Sequence, residues 1–477
     1  MKLVKNYLYN ASYQLFILII PLITIPYVSR VLGSQGIGIN AYTNSIVQYF
    51  ILFGSIGINL YGNRSIAYHR DDKQKLSQTF WEITILRGVC IGISCLGFFI
   101  FVAMISQRYQ SEFLLQSFLI LAAAFDISWL YMGMEDFKKT VVRNTLVKLI
   151  SLACIFLFVH ESGDIGRYIA ILSVSTLLGN LTFWSYLRKI VARPDWQRLN
   201  ITQHILPSLS LFLPQVATQV YLVLNKSMLG VMIGVMSAGY FENSDRIVRV
   251  ILAVVTATGT VMLPRIANTF AKGDIQKVNQ YLYSSLEFVS CLAFPLAFGV
   301  AAVAPKFSVW FMGEDFAITG QLIPILCPII IFIAWSNVFG TQYLLPTGRT
   351  KLFTLSVTVG AVVNIVLNIL LIPLIGVFGA VIATVVSEFA VTLVQLICVK
   401  EFLSMQSIFY QKWKYLLAAI IMYVIVANLH QQMNGSLISF LVQAIVGITS
   451  YALIGLVMRF PIVAFISSFM AKRRLSN

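Results

Sequence analysis

The sequence is divided into long apolar runs that follow one another with short connections. About fourteen of these runs are long enough to cross a hydrocarbon core of about 30 Å as a helix. Charged residues make up 11% of the 477 residues, whereas a soluble domain carries about 25%. We therefore expect an all-α integral membrane protein. The predicted helices cover residues 8–32, 37–62, 80–105, 113–134, 140–159, 167–187, 204–230, 238–263, 281–303, 319–345, 352–373, 376–399, 413–430 and 437–459.

Positive charge is concentrated on one set of connections between the runs. If the N-terminus is cytoplasmic, most of the 34 Lys and Arg residues lie in inner loops and tails. The predicted outer loops carry only Arg108, Arg167 and Lys306. Positive residues on inner loops fix the orientation of a membrane protein. The net charge of +16 is therefore a topology signal, not a sign of nucleic-acid binding. This distribution of Lys and Arg predicts that both termini are cytoplasmic. We also expect the first run to be a retained helix.

A six-helix unit occurs twice in the chain. The segment DDKQKLSQ at residues 71–78 matches GDIQKVNQ at residues 273–280, and residues 33–45 recur loosely at 230–244. Because six is even, both copies insert with the same orientation, and a substrate cavity is expected at their interface. The predicted division is residues 1–203 as an N-terminal six-helix lobe, 204–400 as a second such lobe, and 401–477 as helices 13 and 14 with a basic cytoplasmic tail.

Polar side chains form stripes inside several runs. Asn40, Asn44 and Gln48 are spaced by four residues, and Ser55 and Asn59 continue the same helical face. Such a stripe either joins helices or lines a wet cavity, and several long stripes in one chain favour a cavity. Prolines in the equivalent first and seventh runs indicate bends, which serve either gating or packing.

Charged side chains within or near the runs are further candidates for the site. An intramembrane charge costs at least ~2.5 kcal/mol, so each needs a partner, a route to the interface or a function. Arg30 and Lys226 lie near helix ends and can reach the interface. Two pairs spaced by four residues can neutralise each other: Glu242 with Arg246, and Asp245 with Arg249. Four others have no such local explanation and are expected to face the cavity: Arg87, Lys148, Asp126 and Glu388.

A cavity lined by Arg and Lys suits an anionic ligand, because Arg binds phosphate oxygens in a fork and Lys acts as a point charge. Asp126 and Glu388 are candidates for carrying a proton that couples transport to a gradient. The six cysteines lie inside predicted spans without metal-ligand spacing, and we interpret them as apolar filler. No nucleotide-binding Gly-rich loop is present, so direct use of ATP is not expected.

Several motifs carry a resemblance to a known family. The most specific is VNIVLNILLIPLIGVFGAVIAT at residues 363–384, a helix, a short turn and a second helix. It is accompanied by LLPTGRTK at 344–351, APKFSVWFMGEDF at 304–316, RVLGSQGIG at 30–38 and GYFENSDRI at 239–247. In order and spacing these motifs resemble those of the Wzx-type polysaccharide flippases. That family belongs to the multidrug/oligosaccharidyl-lipid/polysaccharide (MOP) exporter superfamily.

The resemblance implies a multi-pass protein of the bacterial cytoplasmic membrane, with two six-helix lobes and a cationic central cavity. The implied activity is alternating-access export of an undecaprenyl-diphosphate-linked oligosaccharide to the outer leaflet, not an enzymatic reaction and without a bound cofactor. Arg30 and Lys226, at equivalent helix ends, would line the cavity. The driving force is left open among a proton gradient, a sodium gradient and the membrane potential. Other membrane proteins of polysaccharide assembly are implied as partners.

Three other functions remain open at this stage. The extra helix pair resembles that of the peptidoglycan-precursor flippases. A drug or cation antiporter of the same superfamily would predict fewer cations and more carboxylates than the six of each counted within or near the spans. A membrane polysaccharide polymerase or ligase would predict a large outer loop with clustered histidines or carboxylates, whereas the longest predicted outer connection, residues 304–318, is short and has no histidine.

Overall fold

A computed structural model describes the backbone of residues 2–105, 107–197 and 199–462, and the side chains from residue 19 onward except at scattered positions. Every regular element in this part of the chain is helical. The α-helices are α1 (Lys2–Ser55), α2 (Ile58–His69), α3 (Lys73–Met104), α4 (Gln110–Ala124), α5 (Ser128–Gly133), α6 (Phe137–Phe158), α7 (Ile165–Ser185), α8 (Ile205–Met232), α9 (Val235–Ala271), α10 (Ile275–Met312), α11 (Ala317–Leu326), α12 (Pro328–Ser336), α13 (Thr350–Ile375), α14 (Val377–Val399), α15 (Met405–Phe409), α16 (Lys412–Gln432) and α17 (Leu437–Val457).

The predicted all-helical membrane architecture is confirmed. Among the described residues, eleven helices are long and apolar enough to cross a membrane, or twelve if the bent pair 314–326 and 328–344 is one span. The stretch Ile19–His69 counts as one of them, although it covers both of the first two predicted helices. The predicted number of fourteen spans is not confirmed by this count and stays a prediction.

Two of the predicted spans are interrupted where the sequence has no proline. The second span breaks after α1, because Ile56 and Gly57 have φ values of 36° and 77°. The fourth span breaks between α4 and α5, at residues 125–127. A third interruption does contain proline: α11 and α12 meet at a bend of 47° beside Pro328, and the π-helical segment Asn337–Leu344 continues the span.

The chain divides into two compact units, with the boundary between Gly239 and Tyr240. In the N-terminal unit, α2, α3, α5 and α7 pack around a buried cluster that includes Phe80, Trp129 and Phe183. In the C-terminal unit, α16 and α17 pack on α10 around Phe294, Tyr415 and Tyr451. The predicted division into lobes ending at residues 203 and 400 rests on the repeat and stays a prediction.

Candidate substrate site

A polar cavity of about 150 Å³ lies inside the N-terminal unit. Gln48, Ser55 and Asn59 contribute its polar wall from α1 and α2, and Gln219 faces it from α8. Its apolar wall is formed by three further side chains: Ile51, Leu52 and Val223. We call this space the polar cavity. It places three amide groups together, so it offers hydrogen bonds where lipid offers none.

The spacing of the polar stripe explains how the cavity is built. Gln48 and Ser55 are seven residues apart, two helical turns, and therefore share one face of α1. Asn59 comes after the break at Ile56 and Gly57 and still lines the same cavity. Gly57 has no room for a side chain, since a Cβ there would lie 2.7 Å from the Ser208 carbonyl oxygen of α8. The break thus brings α2 and α8 close together beside the cavity.

The other half of the predicted stripe joins helices. The side-chain amide of Gln116 on α4 donates to Asn40 Oδ1 at 3.1 Å and accepts from Asn44 Nδ2 at 3.4 Å. Gln116 also donates to Thr43 Oγ1 at 3.3 Å and is only 2% exposed. Asn40 and Asn44 therefore contact α4, whereas Gln48 lines the cavity. Gln116 belongs to none of the motifs and polar stripes identified in the sequence, so its contacts with Asn40 and Asn44 were not predicted.

Arg87 lies in a buried polar network and not on the wall of the cavity. It is 2% exposed, and its Nε donates to the Ala123 carbonyl oxygen at 2.6 Å. One terminal nitrogen donates to Asn59 Oδ1 at 2.6 Å, and the other lies 3.5 Å from Asp126 Oδ2. Neither Arg87 nor Asp126 has a partner one turn away on its own helix, and each is the other's ion-pair partner across the fold. Their predicted place in the cavity stays a prediction.

Three predicted cations of the N-terminal unit do not line the polar cavity. Lys226 follows Val223 by three residues on α8, which places it about one turn further along the face that lines the cavity. Arg30 is exposed on α1. Lys148 is partly buried on α6, and no described residue forms a hydrogen bond or ion pair with its ammonium group. The substrate contacts predicted for these three residues stay a prediction.

The charged residues of the C-terminal unit behave in two ways. The pairs expected on α9 are confirmed: Arg246 contacts Glu242 at 2.6 Å, and Arg249 contacts Asp245 at 2.7 Å. Glu388 on α14 is 6% exposed, and among the described residues it has no hydrogen-bond or ion-pair partner for its carboxyl group. Its isolation is consistent with the predicted proton-carrying role, which stays a prediction.

Two known family models match this chain. Residues 3–270 match the family model described as polysaccharide biosynthesis protein, and residues 149–451 match that of the lipid II flippase MurJ. Each match covers more than half of the chain.

Curated relatives agree with these matches. The chain is 25% identical to a protein of Escherichia coli (strain K12) named "Putative O-antigen transporter", over 83% of this chain and 96% of that protein. It is 23% identical to a protein of the same name from Shigella dysenteriae, over 80% of this chain and 96% of that protein. The lipid II flippase MurJ of Bacillus subtilis (strain 168) is 23% identical over 33% of this chain and 29% of that protein.

Solved structures support the same fold. The lipid II flippase MurJ in an inward closed conformation superposes with a TM-score of 0.77 at 17% identity, over 96% of this chain and all of that one. An inward-facing multidrug resistance MATE family transporter of the MOP superfamily gives 0.61 at 16% identity, over 82% of this chain and 97% of that one. The solved structures share the fold of this chain, and the family-model match shows that the chain belongs to the polysaccharide biosynthesis protein family.

Proposed function

We propose that this protein is a flippase for undecaprenyl-diphosphate-linked oligosaccharide repeat units. It would move them from the inner to the outer leaflet of the cytoplasmic membrane by alternating access, for the synthesis of a surface polysaccharide. Family membership and the O-antigen transporter relatives support this function. The structural observation that carries the proposal is the amide-lined polar cavity of the N-terminal unit.

The chemistry of a sugar explains why such a cavity is needed. A hydroxyl group moved from water into an apolar medium without a new hydrogen bond costs several kcal/mol, about 4–8 on a water-to-cyclohexane scale. Gln48, Asn59 and Gln219 supply both donors and acceptors to replace the lost bonds. At about 150 Å³ the cavity is smaller than a typical whole-ligand pocket of roughly 300–1,000 Å³. We therefore assign to it part of the saccharide, while the lipid tail stays in the bilayer.

We assign the diphosphate to cations of the N-terminal unit. Lys226, on the cavity-lining face of α8, and the partly buried Lys148 are the main candidates. Arg30 on α1 is exposed, and the substrate contacts predicted for Arg246 and Arg249 of the C-terminal unit stay a prediction. Arg87 is left out of this set because all of its nitrogens have partners.

Coupling to a proton gradient is assigned to Glu388 and not to Asp126. Asp126 contacts Arg87, and its Oδ1 accepts from the Ser128 backbone amide at 2.9 Å. The Glu388 carboxyl group has no hydrogen-bond or ion-pair partner among the described residues. Isolated ionisable groups inside a membrane protein are typical of proton relays, so the carboxyl of Glu388 is free to serve as one.

A second candidate function is the export of a lipid-linked peptidoglycan precursor. The specific observation in its favour is the match of residues 149–451 to the MurJ model. Both candidate substrates carry a polyprenyl diphosphate and a sugar, so the cations and the polar cavity suit either one. They differ in the group that is linked to the diphosphate, and the choice requires a direct comparison of substrates.

The test uses the purified full-length chain in proteoliposomes with fluorescent substrates. Translocation to the opposite leaflet is measured for a polyprenyl-diphosphate oligosaccharide, for lipid II and for a cationic dye. We expect rapid translocation of the first substrate and slow translocation of the second. Faster movement of lipid II would establish the second candidate, and export of the dye alone would show that the protein is a drug antiporter.

A further inference from the structure

Two short helices of the N-terminal unit each follow a break in a membrane span. α2 follows the break at Ile56 and Gly57, and α5 follows the break at residues 125–127. They pack closely: a Cβ on Gly62 of α2 would lie 2.6 Å from the Trp129 ring of α5. A Cβ on Gly133 of α5 would lie 2.8 Å from the Asn63 carbonyl oxygen of α2. Because closely packed backbones move together, α2 and α5 form one body beyond two breaks.

The far ends of the same two helices are also joined. Arg70, the residue after α2, forms an ion pair of 2.8 Å with Glu135, two residues after α5. We call α2 and α5 together the α2–α5 pair.

The break after α4 is stabilised by side chains from neighbouring helices. Helix ends leave carbonyl groups without intrahelical partners, and lipid cannot satisfy them. Asn180 Nδ2 donates to the Ala122 carbonyl oxygen at 2.6 Å, and Trp184 Nε1 donates to that of Phe125 at 2.9 Å. Arg87 Nε donates to the Ala123 carbonyl oxygen at 2.6 Å. The break is therefore a defined element whose backbone groups have assigned partners.

Of these three donors, Arg87 also forms a hydrogen bond with a residue in the wall of the polar cavity. Its terminal nitrogen donates to Asn59 Oδ1 at 2.6 Å, and Asn59 lines the cavity at the start of α2. The same guanidinium group contacts Asp126 inside the other break. The planar fork of arginine can hold three acceptors in fixed directions, which a lysine cannot do.

We propose that Arg87 is a positioning residue that links the polar cavity to both helix breaks, so that a saccharide bound at Asn59 moves the α2–α5 pair. This inference rests on the proposed function for the identity of the ligand. A sugar hydroxyl that bonds Asn59 competes with Arg87 for the same amide oxygen. Release of that bond frees Arg87, and the change reaches Ala123 and Asp126 on α4 and at the break. Arg87 thus acts through Asn59 and does not itself bind the diphosphate.

Hydrogen exchange of the full-length protein tests the link. Exchange at residues 124–134 is measured with and without the polyprenyl-diphosphate oligosaccharide, for wild type, Asn59→Ala, Arg87→Lys and Arg143→Lys. Arg143 is the matched control, because it too is an arginine that donates to a helix carbonyl oxygen, that of Gly179 at 2.6 Å, and that contacts an asparagine side chain, Asn180. We expect the substrate to change exchange at 124–134 in wild type and in Arg143→Lys, and to leave it unchanged in the other two variants.

Transport kinetics provide a second readout that a purely structural arginine would not give. Because Arg87 and the sugar compete for Asn59 Oδ1, loss of this hydrogen bond to a charged group predicts that Arg87→Lys lowers the KM about tenfold. Asn59→Ala and Arg87→Lys should be non-additive in the double variant, because the two residues act through one bond. Gln48→Ala, which has no hydrogen bond to Arg87 among the described residues, should combine additively with Arg87→Lys.

The outcomes separate this inference from the proposed function. Wild-type transport without any substrate effect on residues 124–134 would overturn the link and leave the function intact. An equal decrease of the KM in Arg143→Lys would also overturn it. If Arg87→Lys does not fold, Asn59→Ala decides, since it removes the same bond from the other side. If the wild-type protein transports no saccharide, the proposed function is wrong. The link is then tested by hydrogen exchange at residues 124–134 in Asn59→Ala compared with wild type: a change supports the link, and no change overturns it.

Discussion

At the residue scale, the intramembrane charges differ in where their ion-pair partners lie in the sequence. Arg246 and Arg249 are neutralised by carboxylates one turn away on their own helix, so their pairing could be predicted from spacing alone. Arg87 and Asp126 are 39 positions apart in the sequence and meet only in the fold. No local pattern predicts such a pair. The physical need for a partner was predictable, but its identity was not.

The Arg87–Asp126 pair leads to a prediction about stability. Asp126→Asn removes the carboxylate that, among the described residues, lies within ion-pair distance of the Arg87 guanidinium, which is 2% exposed. A buried charge without its partner destabilises a protein strongly, by roughly 3–5 kcal/mol for a fully buried pair. Asp126 keeps 20% of its side chain exposed, so we expect a smaller loss of about 1–3 kcal/mol. Thermal unfolding in detergent measures it.

Glu135→Gln is the matched control for this prediction. The Arg70–Glu135 pair is 41% and 61% exposed, and exposed pairs contribute about 0–1 kcal/mol. We expect its unfolding temperature to stay near that of wild type. Equal shifts in the two variants would contradict the assignment of Arg87 and Asp126 to a buried network.

At the element scale, the helical segments were predictable and the breaks were not. A long apolar run forms a helix in lipid because its backbone groups must bond internally, and each predicted segment is helical in the described part of the chain. Pro21 and Pro26 indicated bends in the first run, yet the one non-helical residue of α1 is Gly33. The breaks at Gly57 and at residues 125–127 depend on contacts with α8, α3 and α7. The sequence around each break does not indicate those contacts.

Close packing of the α2–α5 pair gives a prediction at this scale. Gly62→Ala places a methyl group 2.6 Å from the Trp129 ring, which must shift to admit it. Overpacking of this kind costs about 1–3 kcal/mol. We expect a lower unfolding temperature and faster hydrogen exchange in α2. Gly88→Ala on α3 is the control, since its Cβ would meet nothing within 4 Å, and an equal effect there would contradict the packing argument.

The attachment of α16 to α10 gives a second prediction. Lys306 Nζ donates to the carbonyl oxygens of His430, Gln431 and Met433 at 2.6, 3.1 and 2.8 Å. It thereby satisfies carbonyl groups at the C-terminal end of α16. Lys306→Met should increase hydrogen exchange at residues 430–436 severalfold. Lys351→Met, at an exposed position on α13, should not change it, and an unchanged Lys306→Met would show that the cap is dispensable.

At the scale of the whole molecule, the family and the fold followed from motif order and apolar patterning, whereas the placement of the site did not. Five residues of one stripe were predicted to share a role, but Asn40 and Asn44 bind Gln116 while Gln48 and Asn59 line the cavity. A stripe spaced by fours turns gradually around a helix of 3.6 residues per turn, so its two ends face different neighbours. Which neighbour is present depends on the fold and not on the stripe.

We propose that the lipid-linked saccharide passes through the polar cavity of the N-terminal unit. The translocation rate of the double variant Gln48→Ala/Gln219→Ala, measured with the polyprenyl-diphosphate oligosaccharide, tests this proposal. Each lost hydrogen bond is worth about 1 kcal/mol, so the double variant should be slowed by roughly 30-fold while folding normally. Asn428→Ala, an exposed amide on α16 that donates to the Val424 carbonyl, should transport at the wild-type rate. A double variant as fast as wild type would contradict the account.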